Sequence, residues 1–303
     1  MRGNVLTLLG IPLDVNSSYL RGSAGAPPKI REALRSDASN QWTELGVDLG
    51  AANAFADAGD LKLANSLEKV SDDFAEIERA VGAILEKGAR PLFLGGDHSI
   101  TYPILKGFAR HYAELTIIHF DAHPDLYEEL EGSRVSHACP FARIMEERLA
   151  KRLVQVGIRT MNGHQRRQVE RFGVEVIEMS ALPAHDRLKI GGPIYVSFDM
   201  DVLDPAFAPG ISHREPGGMS VREAIAHLHA INGTMVGADV VEYNPEQDVA
   251  GMTAIVAAKI VKEILGKMIR EASQARDFCG AKGAPLRAAR PGSSTRKKRA
   301  RSE

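Results

Sequence analysis

Short runs rich in Val, Ile and Leu recur along the chain. They are apolar on both faces, as is typical of strands buried on both sides of a sheet. The predicted strands are residues 5–13, 91–94, 115–120, 153–157, 174–179, 194–199 and 235–241. Segments with helical periodicity lie between many of them, and this alternation predicts βαβ units with a mainly parallel sheet. The expected fold class is therefore α/β, as a single three-layer α/β/α domain.

Apolar positions that repeat with a period of 3.6 residues mark the helices. Helices are predicted over residues 71–86, 221–231 and 249–275. The second begins with a capping box, since Glu223 stands three residues after the N-cap residue Ser220. The third is long and amphipathic and is predicted to close the domain. Residues 38–68 show neither the apolar runs of the predicted strands nor the helical period of 3.6 residues, so a loop or an irregular excursion is expected there.

The overall composition is that of a globular protein. Of 303 residues, 44% are hydrophobic and 25% charged, which excludes a wholly disordered chain, a collagen and a coiled coil. No apolar run reaches the ~18 residues that a membrane-spanning helix needs, and the N-terminus lacks a signal-peptide core. Two cysteines provide no disulfide framework, so a cytoplasmic location is expected.

Charge is unevenly distributed along the chain. Residues 281–303 hold eight basic residues and one acid, which leaves residues 1–280 with a net charge of −8. An acidic body argues against nucleic acid as the main ligand. From about Phe278 the composition shifts to Gly, Pro, Ser and basic residues, which predicts a catalytic domain over 1–277 and a disordered tail over 278–303. A solubilising extension, an anionic-surface contact and a targeting signal remain open for this tail.

Polar clusters directly follow four of the predicted strands. They are 95–99 (Gly-Gly-Asp-His-Ser), 121–125 (Asp-Ala-His-Pro-Asp), 199–205 (Asp-Met-Asp-Val-Leu-Asp-Pro) and 242–245 (Glu-Tyr-Asn-Pro). Ligands of open α/β sheets bind at the carboxyl ends of strands, and all four clusters occupy that end. Their joint occurrence at matching strand ends predicts one functional site.

The chemistry of these clusters is that of a metal centre. The candidate ligands are His98, Asp121, His123, Asp125, Asp199 and Asp201. In the second and third clusters they stand two residues apart, so on an extended segment they point to one side. Converging carboxylates repel each other unless cations neutralise them. Six oxygen and imidazole ligands without a thiolate are too many for one zinc ion and suit Mn²⁺. Two carboxylate-bridged ions would form a hydrolytic centre that generates hydroxide near neutral pH.

The first three clusters resemble the signatures of the ureohydrolases, the family of arginase, agmatinase and related guanidine hydrolases. The third extends as Ser-Phe-Asp-Met-Asp-Val-Leu-Asp-Pro-Ala-Phe-Ala-Pro-Gly over 197–210. The resemblance covers about residues 5–270. Several stretches are most similar to plant-type arginases: 12–28, 136–146, 155–160, 209–218 and 237–259. The resemblance implies the arginase-like fold and a homo-oligomer, a trimer or a hexamer.

The resemblance also implies roles for individual residues. Two Mn²⁺ ions per subunit are expected, one held by His98 and Asp125, the other by His123 and Asp201, with Asp121 and Asp199 bridging. His137, in Ser136-His137, matches the mobile histidine that passes a proton to the leaving amine. Glu242 matches the glutamate that receives the guanidinium, which a carboxylate binds through paired charge-assisted hydrogen bonds. Asp125 is also expected to steady the charge that develops during the reaction.

The implied reaction is hydrolysis of L-arginine to L-ornithine and urea. Agmatine, giving putrescine and urea, and other guanidino compounds remain alternatives, because the substrate's far end is where the sequence departs from its relatives. Tyr127 stands where animal-type arginases have an Asn, and 210–218 replaces the Thr-Gly-Thr-Pro run of typical agmatinases. Arg134 could pair with the substrate carboxylate, although a solvated loop residue is the favoured interpretation of this position.

Three other classes compete with this interpretation. Zinc deacetylases of similar fold need one zinc ion and a different ligand set. A binding or regulatory protein with a decayed site would lack ligands that are all present here. A nucleic-acid binder would act through residues 281–303, and its DNA binding would depend on salt.

Overall fold

A single sheet of eight parallel strands forms the centre of the protein, as a computed structural model describes it for residues 6–182 and 189–281. The strands are β1 Leu6–Gly10, β2 Ala56–Asp60, β3 Arg90–Leu94, β4 Thr116–Phe120, β5 Arg152–Ile158, β6 Glu175–Glu178, β7 Lys189–Asp199 and β8 Asn232–Val241. Their order across the sheet is β2-β1-β3-β8-β7-β4-β5-β6. Every pair of neighbouring strands is parallel, so all carboxyl ends meet at one edge.

Helices cover both faces of the sheet. They are α1 Ala26–Leu34, α2 Val70–Glu86, α3 Thr101–Ala109, α4 Pro140–Glu146, α5 Gly163–Phe172, α6 Val221–Ala230 and α7 Met252–Ala281. One hydrophobic cluster joins α1, α6 and α7 to the sheet, and a second joins α2, α3 and α4 to the opposite face. Neighbouring strand residues alternate between them, so that Ile117 and Ile118 belong to different clusters. This arrangement confirms the predicted three-layer α/β/α fold.

The predicted helices are found with small shifts at their ends. Helix α2 occupies almost the predicted range, and α6 begins with the predicted capping box of Ser220 and Glu223. Helix α7 begins three residues later than predicted and continues to Ala281. Residues 282–303, most of the predicted tail, lie outside the described residues.

The region 38–68 contains a strand that the sequence analysis missed. Strand β2 has the sequence Ala-Asp-Ala-Gly-Asp, is exposed throughout and, among the described strands, pairs with β1 alone. An edge strand of this kind gains its stability from backbone hydrogen bonds and leaves no hydrophobic alternation to detect. Arg31 of α1 anchors it by pairing with Asp57 and Asp60.

The strand order explains how distant motifs meet. Strands β3, β8, β7 and β4 are consecutive neighbours at the middle of the sheet. The four polar clusters follow these four strands, so residues as far apart in sequence as His98 and Glu242 are brought to one point at the carboxyl edge.

Candidate active site and metal centre

A tight turn after β3 places His98 at the edge of the sheet. Asp97 caps this turn, because its Oδ1 accepts a hydrogen bond from Ser99 N at 3.0 Å. Gly96 passes so close to Leu13 that a Cβ atom would lie 1.9 Å from the Leu13 carbonyl oxygen. Only glycine therefore fits here, and the contact fixes the path of the chain into His98.

His98 is fully buried and faces three carboxylates. Its Nδ1 lies 3.2 Å from Asp121 Oδ2, 3.1 Å from Asp125 Oδ2 and 3.1 Å from Asp199 Oδ2. The same atom lacks a well-formed hydrogen bond to any described residue. An imidazole nitrogen without such a bond among carboxylate oxygens is the arrangement that a divalent cation would complete.

His123 forms a second group of the same kind. Its Nδ1 lies 2.9 Å from Asp201 Oδ2 and 3.4 Å from Asp121 Oδ1. Asp121 thus directs one oxygen to each histidine and connects the two groups. Asp199 reaches His98 with Oδ2, whereas its Oδ1 accepts a hydrogen bond from Asp201 N at 2.7 Å. All six predicted ligands therefore lie together.

The electrostatics of these groups are those of a cation site. Burial and the charges of Asp201 and Asp121 raise the pKa of Asp199 well above its usual value. Burial alone would lower the pKa of His98, but the three carboxylates of Asp121, Asp125 and Asp199 around its ring raise that pKa well above normal. Asp121 behaves differently: burial would raise its pKa, yet His119, His123 and His98 hold it well below normal. The clustered carboxylates carry more negative charge than the neighbouring histidines can balance. Their oxygen atoms and the imidazole nitrogens therefore suit divalent metal ions.

Glu242 and His137 form a buried pair beside these ligands. Glu242 Oε1 lies 2.9 Å from His137 Nδ1 and accepts a hydrogen bond from His98 N at 2.8 Å. Its Oε2 has no hydrogen bond to any described residue. Ser18 Oγ lies 2.8 Å from His137 Nε2, on the other side of the ring. Glu242 follows β8 with a φ of 63°, a left-handed conformation that is strained for a non-glycine residue.

A cavity of about 240 Å³ opens onto these groups. Its inner wall includes His123, Asp125, His137, Asp199, Asp201 and Glu242. Its outer wall includes Tyr127, Leu130, Thr160, Asn162 and Gln165. Asn162 Nδ2 lies 2.6 Å from Tyr127 Oη. Arg134 does not line this cavity; it is half exposed and pairs with Glu146 at 3.0 Å, so the structure does not support its contact with a substrate carboxylate.

Several residues near the site were missed by the sequence analysis. His119, Gln155, Ser197 and Asp239 are polar residues inside buried strands, and each has a hydrogen-bonding partner there. The chain Asp239–Ser197–His98 is one example, with Ser197 Oγ 2.7 Å from Asp239 Oδ1 and 2.9 Å from His98 Nε2. A polar residue in the middle of an apolar strand was the available signal, since a buried polar group needs a partner. His213, which lies within the segment 210–218, was not singled out, yet its ring lies 5.2 Å from that of His137.

Comparisons with known proteins identify relatives of this chain. A sequence model described as the Arginase family matches residues 5–266. The chain is 46% identical over 275 residues to mitochondrial arginase 1 of Arabidopsis thaliana, covering 86% of this chain and 80% of that protein. It is 37% identical over 265 residues to agmatinase of Bacillus subtilis, covering 85% and 90%. The solved structure of arginase from Medicago truncatula superposes with a TM-score of 0.80 at 43% identity, covering 87% of both chains.

The expectation of a cytoplasmic location is wrong in the light of these comparisons. The Arabidopsis relative is named mitochondrial, and a second protein of that plant is named chloroplastic/mitochondrial. The cysteine count that led to the expectation separates oxidising from reducing compartments and says nothing about organelles. Among the described helices, none is both long and apolar enough to cross a bilayer.

Proposed function

The chain belongs to the arginase family and is a hydrolase of that family, and we propose that it converts L-arginine to L-ornithine and urea. One observation carries the proposal. The buried Glu242 lines the cavity, and its hydrogen bonds with His98 N and His137 Nδ1 engage Oε1 only. A carboxylate at this place binds a guanidinium through charge-assisted hydrogen bonds and holds its planar carbon next to the metal ligands.

Two Mn²⁺ ions per subunit are part of the proposal. His98 with Asp125 would hold one ion and His123 with Asp201 the other, with Asp121 and Asp199 between them. The contacts of Asp121 with both histidines support this division. When bound, the metal pair would supply hydroxide at neutral pH.

The protein's own residues orient the substrate and move protons. Glu242 fixes the guanidinium so that its planar carbon faces the candidate metal ligands. Asp125 lines the same cavity and would stabilise the charge that develops on the guanidinium. His137 carries a proton toward the nitrogen that leaves as the amine. Ser18 and Glu242, which contact its two ring nitrogens, hold the ring ready for this transfer.

Recognition of the far end of the substrate separates L-arginine from agmatine. No Lys or Arg is found among the described residues of the cavity wall. The outer wall instead offers Tyr127, Asn162 and Gln165, which can hydrogen-bond an amino-acid head without a full charge. The similarity to plant arginases favours L-arginine, whereas the uncharged outer wall keeps agmatine as the second candidate.

We further propose that residues 1–277 form the catalytic domain and 278–303 a basic tail, and that the protein is a trimer or a hexamer. Exposed apolar side chains on Trp42, Met252 and Ile255, each about half accessible, support contacts between subunits. Light scattering on the purified protein tests the oligomeric state.

Urea release tests the function. Protein loaded with Mn²⁺ is offered L-arginine and agmatine separately at equal concentration. Urea from L-arginine with little from agmatine supports the proposal, and the reverse makes the protein an agmatinase. Urea from neither, with two metals bound per subunit, would redirect the search to other guanidino compounds.

A further inference from the structure

His119 is a fully buried residue of β4 that directs its ring at a metal ligand. Its Nε2 lies 2.6 Å from Asp121 Oδ2. Its ring stacks on Phe141, with centroids 3.9 Å apart and an angle of 30° between the planes. Together with His98 and Asp121 it forms a group whose atoms are close enough to share a metal ion. The geometry therefore leaves two roles for His119, metal ligand or hydrogen-bond donor to Asp121.

Gln155 decides between these roles. It lies opposite His119 in the register of β4 and β5. Its Nε2 is 2.6 Å from the carbonyl oxygen of Pro124 and 3.0 Å from His119 Nδ1. A carbonyl oxygen only accepts hydrogen bonds, so the Gln155 amide must direct its NH₂ group toward Pro124. The unpaired Gln155 Oε1 is at the other end of the amide and makes no hydrogen bond to the described residues.

The second hydrogen of this NH₂ group is donated to His119 Nδ1. That nitrogen must therefore be unprotonated, and the ring proton resides on Nε2. A protonated Nε2 donates to Asp121 Oδ2 and is not available to a metal ion. The carbonyl of Pro124 thus fixes the orientation of the Gln155 amide. This orientation fixes the tautomer of His119, and that tautomer provides Asp121 with an N–H donor.

We propose that His119 is a positioning residue, held as the Nε2–H tautomer by Gln155, which orients the Asp121 carboxylate for metal binding. The inference rests on the metal-binding part of the proposed function. Asp121 is then fixed at both oxygens, since Oδ1 accepts a hydrogen bond from His123 N at 2.5 Å. Outer partners of metal ligands typically contribute about 10- to 100-fold to metal affinity.

Mn²⁺ affinity, measured by isothermal titration calorimetry on the full-length protein, tests the role of the donor. His119→Phe keeps a ring against Phe141 but removes the N–H, whereas His119→Gln keeps a donor. We expect about 10- to 100-fold weaker binding in His119→Phe and in Gln155→Met, and near-normal binding in His119→Gln. His111→Phe, at an exposed turn, is the matched control and leaves affinity unchanged. Wild-type affinity in a folded His119→Phe, or equal losses in the Phe and Gln variants, would overturn the inference.

The tautomer itself is the second readout and needs no substitution that endangers folding. A long-range ¹H–¹⁵N spectrum of the full chain, with diamagnetic Zn²⁺ in place of Mn²⁺, should show His119 bare at Nδ1 and protonated at Nε2. The opposite tautomer or a doubly protonated ring would contradict the inference. Neither measurement requires a guanidino substrate, so a failure of L-arginine hydrolysis would refute the proposed substrate and leave this inference standing.

Discussion

His137 Nδ1 lies 2.9 Å from Glu242 Oε1, so the proposed proton carrier contacts the proposed guanidinium receptor. Because Glu242 Oε1 also accepts the hydrogen bond of His98 N, one oxygen connects the metal side of the site with the proton side. The other oxygen is left for the substrate. The Glu242 carboxylate thus has two roles, one oxygen contacting His137 and His98 and the other left for the guanidinium. Substitution of Glu242 should therefore affect both substrate binding and the ionisation of His137.

Substitution of Glu242 by Gln should strongly reduce activity while the fold is kept. The change removes the charge that pairs with the guanidinium, and hydrogen bonds to charged groups contribute about 1.5–3 kcal/mol. We expect kcat/KM for urea release to fall by at least about 10- to 100-fold. Glu246→Gln, at an exposed position four residues on, is the control. Equal kinetics in the two variants would refute the role of Glu242.

The ionisation of His137 should depend on Glu242. Burial alone would lower the pKa of His137, but the charge of Glu242 raises it to about 9. A folded-state pKa above the ordinary value means that the ion pair stabilises the protein fully below about pH 6.5 and that this stability is lost as the pH rises through about 9. NMR titration of metal-free protein should show this midpoint, and Glu242→Gln should move it downward. An unchanged midpoint would contradict the pairing.

Metal uptake should release protons and stabilise the fold. The raised pKa values of Asp199, Asp201 and His98 mean that metal-free protein holds protons that a cation displaces. Calorimetric titration with Mn²⁺ in buffers of different ionisation enthalpy should reveal this release. A free ion concentration 100 times the Kd should add about 2.7 kcal/mol to the free energy of unfolding. Asp201→Asn should weaken both effects, and identical melting with Mn²⁺ and with chelator would argue against a metal site.

Asp14 should hold the loop that delivers Ser18 to His137. It is buried and accepts hydrogen bonds from Arg21, Asn65 and the backbone nitrogens of Gly22 and Ala24. Asp14→Ala would leave these partly buried donors without their acceptor, and the total loss of stability should be about 1–3 kcal/mol. Burial opposes ionisation, yet these donors lower the pKa of Asp14, so its contribution to stability should be present above its usual pKa and lost as the pH falls further.

Denaturant unfolding at pH 7 and at acidic pH tests this role of Asp14. The exposed Asp37→Ala is the control. If Asp14→Ala proves as stable as this control, the loop is held by other contacts.

Gly96 and Gly82 form a matched pair of tests. An added Cβ at Gly96 would meet the backbone of Leu13, and such overpacking costs about 1–3 kcal/mol and would shift His98. Helix α2 leaves open space around Gly82, so Gly82→Ala should stabilise the protein by about 0.5–1 kcal/mol. We therefore expect Gly96→Ala to lower both the melting temperature and Mn²⁺ affinity, and Gly82→Ala to raise the melting temperature only. A Gly96→Ala protein with normal metal binding would show that this turn tolerates displacement.

The fold was largely accessible from sequence because most of its strands are buried on both faces. Seven strands were predicted from runs of Val, Ile and Leu, whereas β2, the exposed edge, was missed. Its pairing depends on backbone groups and on the ion pairs of Arg31 with Asp57 and Asp60, which connect residues distant in sequence. The capping box of Ser220 and Glu223 depends only on residues close together in sequence, and it was predicted correctly.

The candidate ligands could also be predicted from the sequence, because each follows a strand end in a recognisable pattern. The residues that hydrogen-bond to these ligands could not be predicted. Gln155 is one of seven residues of an ordinary strand, and its contact with His119 exists only through the pairing of β4 and β5. Likewise, the separation of Arg134 from the cavity depends on its contact with Glu146, twelve residues away. Sequence patterns give the residues that touch a metal or substrate more readily than those that orient them.

The position of β8 in the sheet bears on when the six candidate ligands can come together during synthesis. All six candidate ligands lie within residues 98–201, but β8, built from Asn232–Val241, stands between β3 and β7. A nascent chain that has emerged through residue 201 carries every ligand, yet His98 and Asp199 cannot meet until the last strand has inserted. Assembly of the candidate ligands is thereby coupled to completion of the sheet, so a prematurely terminated chain would carry the ligands without bringing them together.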